Sequence, residues 1–247
     1  MKQAAAVIRT ILFWITIIVN TIIVCPAIFV FRSQEKKILQ IQKYWARLLL
    51  LVSGVQVEVE GIDNIRSGQT YIIMANHQSY HDIFVLLTLP IFFHWMAKKE
   101  LFKIPVFVWI LHWIGAISID RENKSKASSS IRKTIERIKK GASVLVFPEG
   151  TRSPTGDLLP FTEGGFFLAI LSRAPLLPIT INGTHAIMPK GSVRVLPGYV
   201  KVFVDPPIET ESLTLRDKKL LQEKIFKLFC QNLTRIKTSS PLDASLT

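Results

Sequence analysis

The sequence predicts a mixed α/β domain: a mostly parallel sheet covered by helices, preceded by two N-terminal helices that anchor it on a membrane. Three observations lead there. Short apolar runs that read as strands alternate with helical stretches from residue 54 onward, the pattern of a sheet wrapped by helices. Hydrophobic residues make up 49% of the 247-residue chain and charged ones 20%, enough to bury a core and to exclude general disorder. The excess apolarity is concentrated at the N-terminus.

Thr10 to Phe31 is uncharged and is closed by Arg9 and Arg32. As a helix it spans roughly 33 Å, close to a bilayer core of about 30 Å. A transmembrane helix, a buried core helix and a signal peptide all fit a run of this kind. The signal peptide fits worst, because the run exceeds the usual h-region and no small-x-small cleavage site follows. Residues 34–52 form a second helix, with Ile38, Ile41, Tyr44, Trp45, Leu48, Leu49 and Val52 at intervals of three and four. Its Lys36, Lys37, Lys43 and Arg47 suit an anionic membrane interface, although an apolar stripe also suits plain packing on the domain. More positive charge follows the first run than precedes it, which does not settle topology but suggests that the side carrying the bulk of the protein is cytoplasmic.

Beyond Gly54, strands are expected at 55–59, 71–75, 91–97, 116–119, 142–147 and 176–181. Residues 192–196 and 199–204 read as a further pair. Helices are expected at 82–89, 104–112, 128–140, 164–172 and 213–236. The last has Leu220, Leu221, Ile225, Leu228 and Phe229 inward, and residues 123–130 are expected as a flexible loop. The organisation is therefore a membrane anchor at 1–53, a catalytic domain at 54–237 and a loose tail at 238–247.

The formal net charge of +13 favours anionic partners, and residues 121–140 carry eight Lys/Arg against two Glu. A nucleic acid is not expected, because no nucleic-acid module or aromatic-interleaved basic stripe is present. Two cysteines, Cys25 and Cys230, cannot build a disulfide scaffold or a Cys-rich zinc site.

The chemistry sits at strand ends, where open sheets place ligands. NHQSYHD (76–82) follows the apolar strand 71–75. His77 and Asp82 across that turn make an oriented general base: the carboxylate fixes the tautomer and stabilises the imidazolium. His77, His81 and Asp82 also offer metal-ligand types, but the Glu that a zinc-protease pattern needs after the first His is Gln78. There is no G-x-S-x-G, so the base would activate a hydroxyl that the substrate brings.

FPEGTRS (147–153) follows another strand. Gly150 lets the backbone approach a ligand, Thr151 can donate a hydrogen bond, and Arg152 can grip an anionic oxygen in bidentate fashion. A polar turn without a ligand fits the same residues. Arg121, after the strand GAISID, is either a second phosphate clamp or a solvated cation.

These residues resemble the 1-acyl-sn-glycerol-3-phosphate acyltransferase (lysophosphatidic acid acyltransferase) family, in its bacterial PlsC-like form. The NHxSxxD motif is matched by Asn76, His77, Ser79 and Asp82. A glycine before an apolar strand ending in Asp-Arg is matched by Gly115, Asp120 and Arg121. FPEGTRS is matched in full, and the apolar-Pro-apolar strand by Leu177, Pro178 and Ile179, with Gly183 and Thr184 after it. AKKELFKIP at 97–105 is similar as well. Ser118 stands where an aromatic is common, and Thr162 where a Lys is common.

The resemblance implies catalysis by His77 and Asp82 without an acyl-enzyme, and a substrate phosphate held by Arg121, Glu149, Gly150, Thr151 and Arg152. It implies no metal or cofactor, and an acyl donor that is acyl-CoA or acyl-carrier protein. The expected acceptor is lysophosphatidic acid at an anionic phospholipid membrane, with phosphatidic acid as product. A related acyltransferase with another acceptor (glycerol 3-phosphate, a lysophospholipid or an aminoacyl lipid) and a non-enzymatic lipid-binding protein are the alternatives.

Overall fold

The computed structural model describes residues 2–31, 34–103, 108, 111, 115–119 and 124–239. Helix α1 (Lys2–Val30) takes in the whole apolar run and continues through Pro26. Among the described residues it is the one helix long and apolar enough to cross a membrane. Helix α2 (Glu35–Ser53) is amphipathic and stops at Gly54, whose left-handed φ of 68° lets its N–H reach the carbonyls of Leu50 and Leu51.

The buried side of α2 differs from the expected stripe. Ile38, Gln42, Ala46, Leu49, Leu50 and Ser53 face inward, while Tyr44 (76% exposed) and Leu48 face outward together with Leu51 (75%). Ala46 is taken into the core and Ser53 finds a buried hydrogen-bond partner, so packing and polar pairing override the simple apolar spacing.

The sheet has seven strands: β1 (Val55–Glu60), β2 (Ile72–Ala75), β3 (His94–Lys98), β4 (Ile117–Ile119), β5 (Val144–Val146), β6 (Leu176–Asn182) and β7 (Gly198–Val204), in the order β1-β7-β6-β2-β5-β3-β4. Every pairing is parallel except β6 with β7, in line with the expected mixed, mostly parallel sheet. Central β2 is buried on both faces, which is why it reads as an unbroken apolar run. Its Ile73 and Ala75 pack in one core with α1, α2 and helix α3 (His81–Leu87). Its Ile72 and Met74 pack in the other core. That core holds helices α4 (Lys124–Lys139), α5 (Gly164–Ser172) and α7 (Lys218–Ser239). The short helix α6 (Thr184–Ile187) follows β6.

Several expectations need correction. Residues 192–196 form no strand: the Val195 N–H goes to Thr10 Oγ1, that of Leu196 goes to the Ile187 carbonyl, and Pro197 has none. Strand β7 has both edges taken, by β1 and β6, so it offers no place for a hairpin partner. The loop expected at 123–130 is helical from Lys124, because α4 begins there. Leu220 is 69% exposed; the inward face of α7 is Leu221, Ile225 and Phe229. Helix α7 runs to Ser239. The remaining tail, 240–247, and most of the helix expected at 104–112 lie outside the described residues.

Candidate active site

Strands β6, β2 and β5 are adjacent and parallel, so the loops after them meet at one edge of the sheet. The loop after β2 carries His77 and the loop after β5 carries FPEGTRS; after β6 come Gly183 and Thr184. Gly183 has φ 101°, and a Cβ there would lie 2.2 Å from the Tyr199 carbonyl oxygen, so only glycine makes this turn. Asn76 ties the first of these loops to strand β6. Its amide donates to the Ile181 carbonyl (2.8 Å) and accepts the Ile181 N–H (2.7 Å), replacing backbone pairing where β2 ends.

The imidazole of His77 donates from Nδ1 to Asp82 Oδ2 over 2.7 Å. Asp82 is fully buried, and its cost is offset by a complete set of donors. Oδ2 also accepts the N–H groups of Gln78 (2.7 Å) and Ser79 (2.9 Å), and Oδ1 accepts the Thr184 hydroxyl. One carboxylate therefore holds the turn that leads into α3 and orients the imidazole. With Nδ1–H directed at Asp82, Nε2 keeps its lone pair. The ring is held flat by Phe147, stacked at 3.9 Å with an 11° interplanar angle, and its side chain is 15% exposed.

Glu149 joins the first two loops. Oε1 accepts the His77 N–H (2.7 Å) and Oε2 the Leu159 N–H (2.9 Å). Burial pushes its carboxyl up to about 7, against the pull of those two amide bonds, with Asp82 adding to the rise. Both oxygens are spent on backbone amides, so the carboxylate braces the loops. The Ser153 N–H donates to the His77 carbonyl (2.7 Å) as a second tie. Gly150 turns the chain with φ 74°. Arg152 lies with its guanidinium 3.7 Å from the Tyr80 ring centroid, and its buried Nη1 meets no hydrogen-bond partner among the described residues. Thr151 is exposed and accepts a hydrogen bond from Lys190 Nζ (3.1 Å). Asp120 and Arg121 lie outside the described residues.

His81 does not join His77. It faces the N-terminal helices, stacked on Phe13 (5.2 Å) and edge-on to Phe84. Ser53 Oγ gives its one proton to the Leu49 carbonyl (2.6 Å), so it accepts from His81 Nε2–H (3.0 Å). Nδ1 is left as a bare, buried acceptor. Burial holds the ring well below its ordinary range, at about 4, so it is neutral at pH 7.

Four participants are not singled out by the sequence as site residues: Thr184, Gln78, Tyr80 and Lys190. Gln78 Nε2 donates to the Gly156 carbonyl (2.6 Å), pinning the far end of the FPEGTRS loop. Thr184 has a readable signal, since a Gly-Thr pair follows an apolar strand just as the other two loops do.

A family model described as Acyltransferase matches residues 56–182. The chain is 36% identical over 197 residues to the chloroplastic 1-acyl-sn-glycerol-3-phosphate acyltransferase BAT2 of Brassica napus, covering 78% of this chain and 57% of that protein. It is 32% identical over 216 residues to the 1-acyl-sn-glycerol-3-phosphate acyltransferase of Pseudomonas aeruginosa, covering 83% and 82%. It thus spans just over half the length of plant relatives such as BAT2. Among solved structures, the 1-acyl-sn-glycerophosphate (LPA) acyltransferase PlsC from Thermotoga maritima superposes with a TM-score of 0.84 at 27% identity, covering 97% of this chain and 99% of that one.

Proposed function

The chain belongs to the 1-acyl-sn-glycerol-3-phosphate acyltransferase (PlsC-like) family, and from that premise we propose that it transfers a fatty acyl group from acyl-CoA or acyl-carrier protein to the sn-2 hydroxyl of 1-acyl-sn-glycerol 3-phosphate, giving phosphatidic acid. The observation that carries the reading is the His77–Asp82 pair, with its Nε2 lone pair left available, on the same sheet edge as a loop whose Arg152 Nη1 has no hydrogen-bond partner among the described residues.

The steps follow from that geometry. His77 Nε2 takes the proton of the acceptor hydroxyl, while Asp82 holds the ring and balances the imidazolium. The hydroxyl oxygen attacks the thioester carbonyl, and the tetrahedral intermediate collapses to the ester. The departing thiolate recovers the proton from His77. No protein nucleophile takes part. Arg152 holds the acceptor phosphate, Gly150 and Thr151 shape the pocket, and Glu149 holds the loop in place. Arg121, outside the described residues, is kept as a further clamp because it follows the strand GAISID.

Residues 1–53 anchor the catalytic domain, 54–237, on a membrane. The outward side of α1 presents Val7, Ile11, Ile15, Ile18, Ile22 and Phe29, and α2 adds outward Tyr44, Leu48 and Leu51 beside exposed Lys36 and Lys37. We place the catalytic domain on the cytoplasmic face of the inner membrane, from the charge excess after the apolar run.

The test is a transfer assay with the full-length protein in phospholipid vesicles. It crosses acyl-CoA and acyl-carrier protein with lysophosphatidic acid, glycerol 3-phosphate and a lysophospholipid. Transfer to lysophosphatidic acid that disappears in His77→Ala is the expected result. Preference for another acceptor, or near-normal turnover by folded His77→Ala, overturns the reading.

A further inference from the structure

We propose that Lys190 is a phosphomonoester-binding residue of this site, working beside Arg152; the inference rests on the acyl-transfer reading and adds a cation from outside the stretches that suggested it. Lys190 lies in the turn after α6, closed by the Ser192 N–H to the Pro189 carbonyl (3.0 Å). That turn is fixed to the catalytic loop, because Ser79 Oγ donates to the Met188 carbonyl (2.8 Å). The same bond places the Lys190 backbone two residues from a contact with NHQSYHD, although 109 residues separate Ser79 from Met188.

From there the ammonium reaches Thr151 Oγ1 at 3.1 Å, next to Arg152 in sequence. An ammonium has three N–H donors, and this contact uses one. Neither Lys190 nor Arg152 pairs with a carboxylate among the described residues. Arg152 also keeps a buried Nη1 without a partner.

Arg152 and Lys190 are like charges on adjoining loops, each with N–H donors that no described residue takes up. A dianionic phosphomonoester relieves both: the planar guanidinium takes two oxygens and the ammonium a third as a point charge. Thr151 serves as the resting partner of Lys190. Two molecules of the proposed reaction carry such a group, the lysophosphatidic acid headgroup and the 3′-phosphate of a coenzyme A thioester.

The test compares full-length wild type, Lys190→Gln and Lys190→Arg in vesicles, varying acceptor and acyl-CoA separately. Lys190→Gln is expected to raise KM about tenfold, the scale of one charge-assisted hydrogen bond. It should leave kcat within about twofold, and Lys190→Arg should recover most of the loss. A rise in the acceptor arm assigns the lipid headgroup, and a rise in the acyl-CoA arm assigns the carrier phosphate; each supports the proposal. Unchanged KM in both arms, or a fall in kcat alone, overturns it.

Thermal stabilisation by inorganic phosphate is read in parallel and needs no turnover. Wild type should show it and Lys190→Gln should lose most of it, while equal stabilisation of the two overturns the proposal. If wild type transfers nothing to lysophosphatidic acid yet this difference persists, the acyl-transfer reading falls and the phosphate site stands.

Discussion

Glu149 accepts the backbone N–H of His77 over 2.7 Å, so the loop that presents the cation also sets the position of the imidazole. The loop of His77 and the loop of Arg152 are thus coupled through one buried carboxylate. Exchanging that carboxylate for a carboxamide leaves one of the two backbone amides facing an NH2 group. Glu149→Gln is therefore expected to lower kcat about tenfold or more, the cost of one unsatisfied buried donor.

The same residue predicts a pH dependence of stability. The Glu149 carboxyl is raised in the folded protein to about 7, above its ordinary value of 4.5. A raised carboxyl contributes stability that is fully present below the ordinary value and lost as pH rises through about 7. Glu149→Gln removes that contribution. Plotted against pH from 5 to 8, the Tm of wild type minus that of the variant should decline; a flat difference contradicts the burial argument.

His77→Ala removes the base and leaves Asp82 with its amide and hydroxyl donors. Turnover should fall by roughly 10²–10⁴-fold, with an unchanged circular dichroism spectrum, because the ring is a partly exposed surface element and not part of either core.

Thr184→Val strips Asp82 Oδ1 of its hydroxyl donor while keeping the shape of the side chain. The carboxylate then lacks one of four donors, and the imidazole it orients is less well held. We expect a kcat loss of about tenfold, KM nearly unchanged, and recovery in Thr184→Ser. A change in KM alone would place Thr184 in substrate binding.

His81 is buried and neutral, with its range depressed from 6.5 to about 4. Such a group contributes stability above its ordinary value that is lost as pH falls from 6.5 through 4. Denaturant unfolding should show wild type losing on the order of 3 kcal/mol over that window, and His81→Gln should lose much less. Equal acid sensitivity of the two proteins counts against the buried Ser53–His81–Phe13 contact.

The outward face of α1 and its inward face should separate experimentally. Ile11, Ile15 and Ile22, each more than half exposed, replaced together by Ser, should weaken vesicle association more than about a hundredfold while the catalytic domain stays folded. Phe13→Ala should instead cost about 3–5 kcal/mol of stability, since Phe13 is buried against His81 and Phe84.

Much of this molecule is legible locally. Strands β2, β5 and β6 are unbroken apolar runs that end in polar turns, so their burial and the position of the site loops can be read directly. The placing of Asp82 is local too, since its carboxylate takes the N–H groups of Gln78 and Ser79, four and three residues before it. Residues whose partners are distant in sequence are not legible. Residues 192–196 alternate like a strand, but their amides are used by Thr10 and Ile187. Leu220 fits the helical stripe of α7 yet faces solvent, because the row of Leu221, Ile225 and Phe229 is the one taken into the core.

The residue order by itself marked His77, Asp82 and the FPEGTRS stretch as candidates for the chemistry, and determined the alternation of elements and the presence of a long apolar N-terminal helix, because each depends on spacings of a few residues. Only the tertiary structure decided that His81 turns away from His77 toward the N-terminal helices, that Glu149 accepts the N–H groups of His77 and Leu159, that Thr184 reaches Asp82 and that Lys190 reaches Thr151. Those outcomes depend on three parallel strands bringing their loops to one edge, and on each buried donor or acceptor finding its partner across a distant stretch of chain.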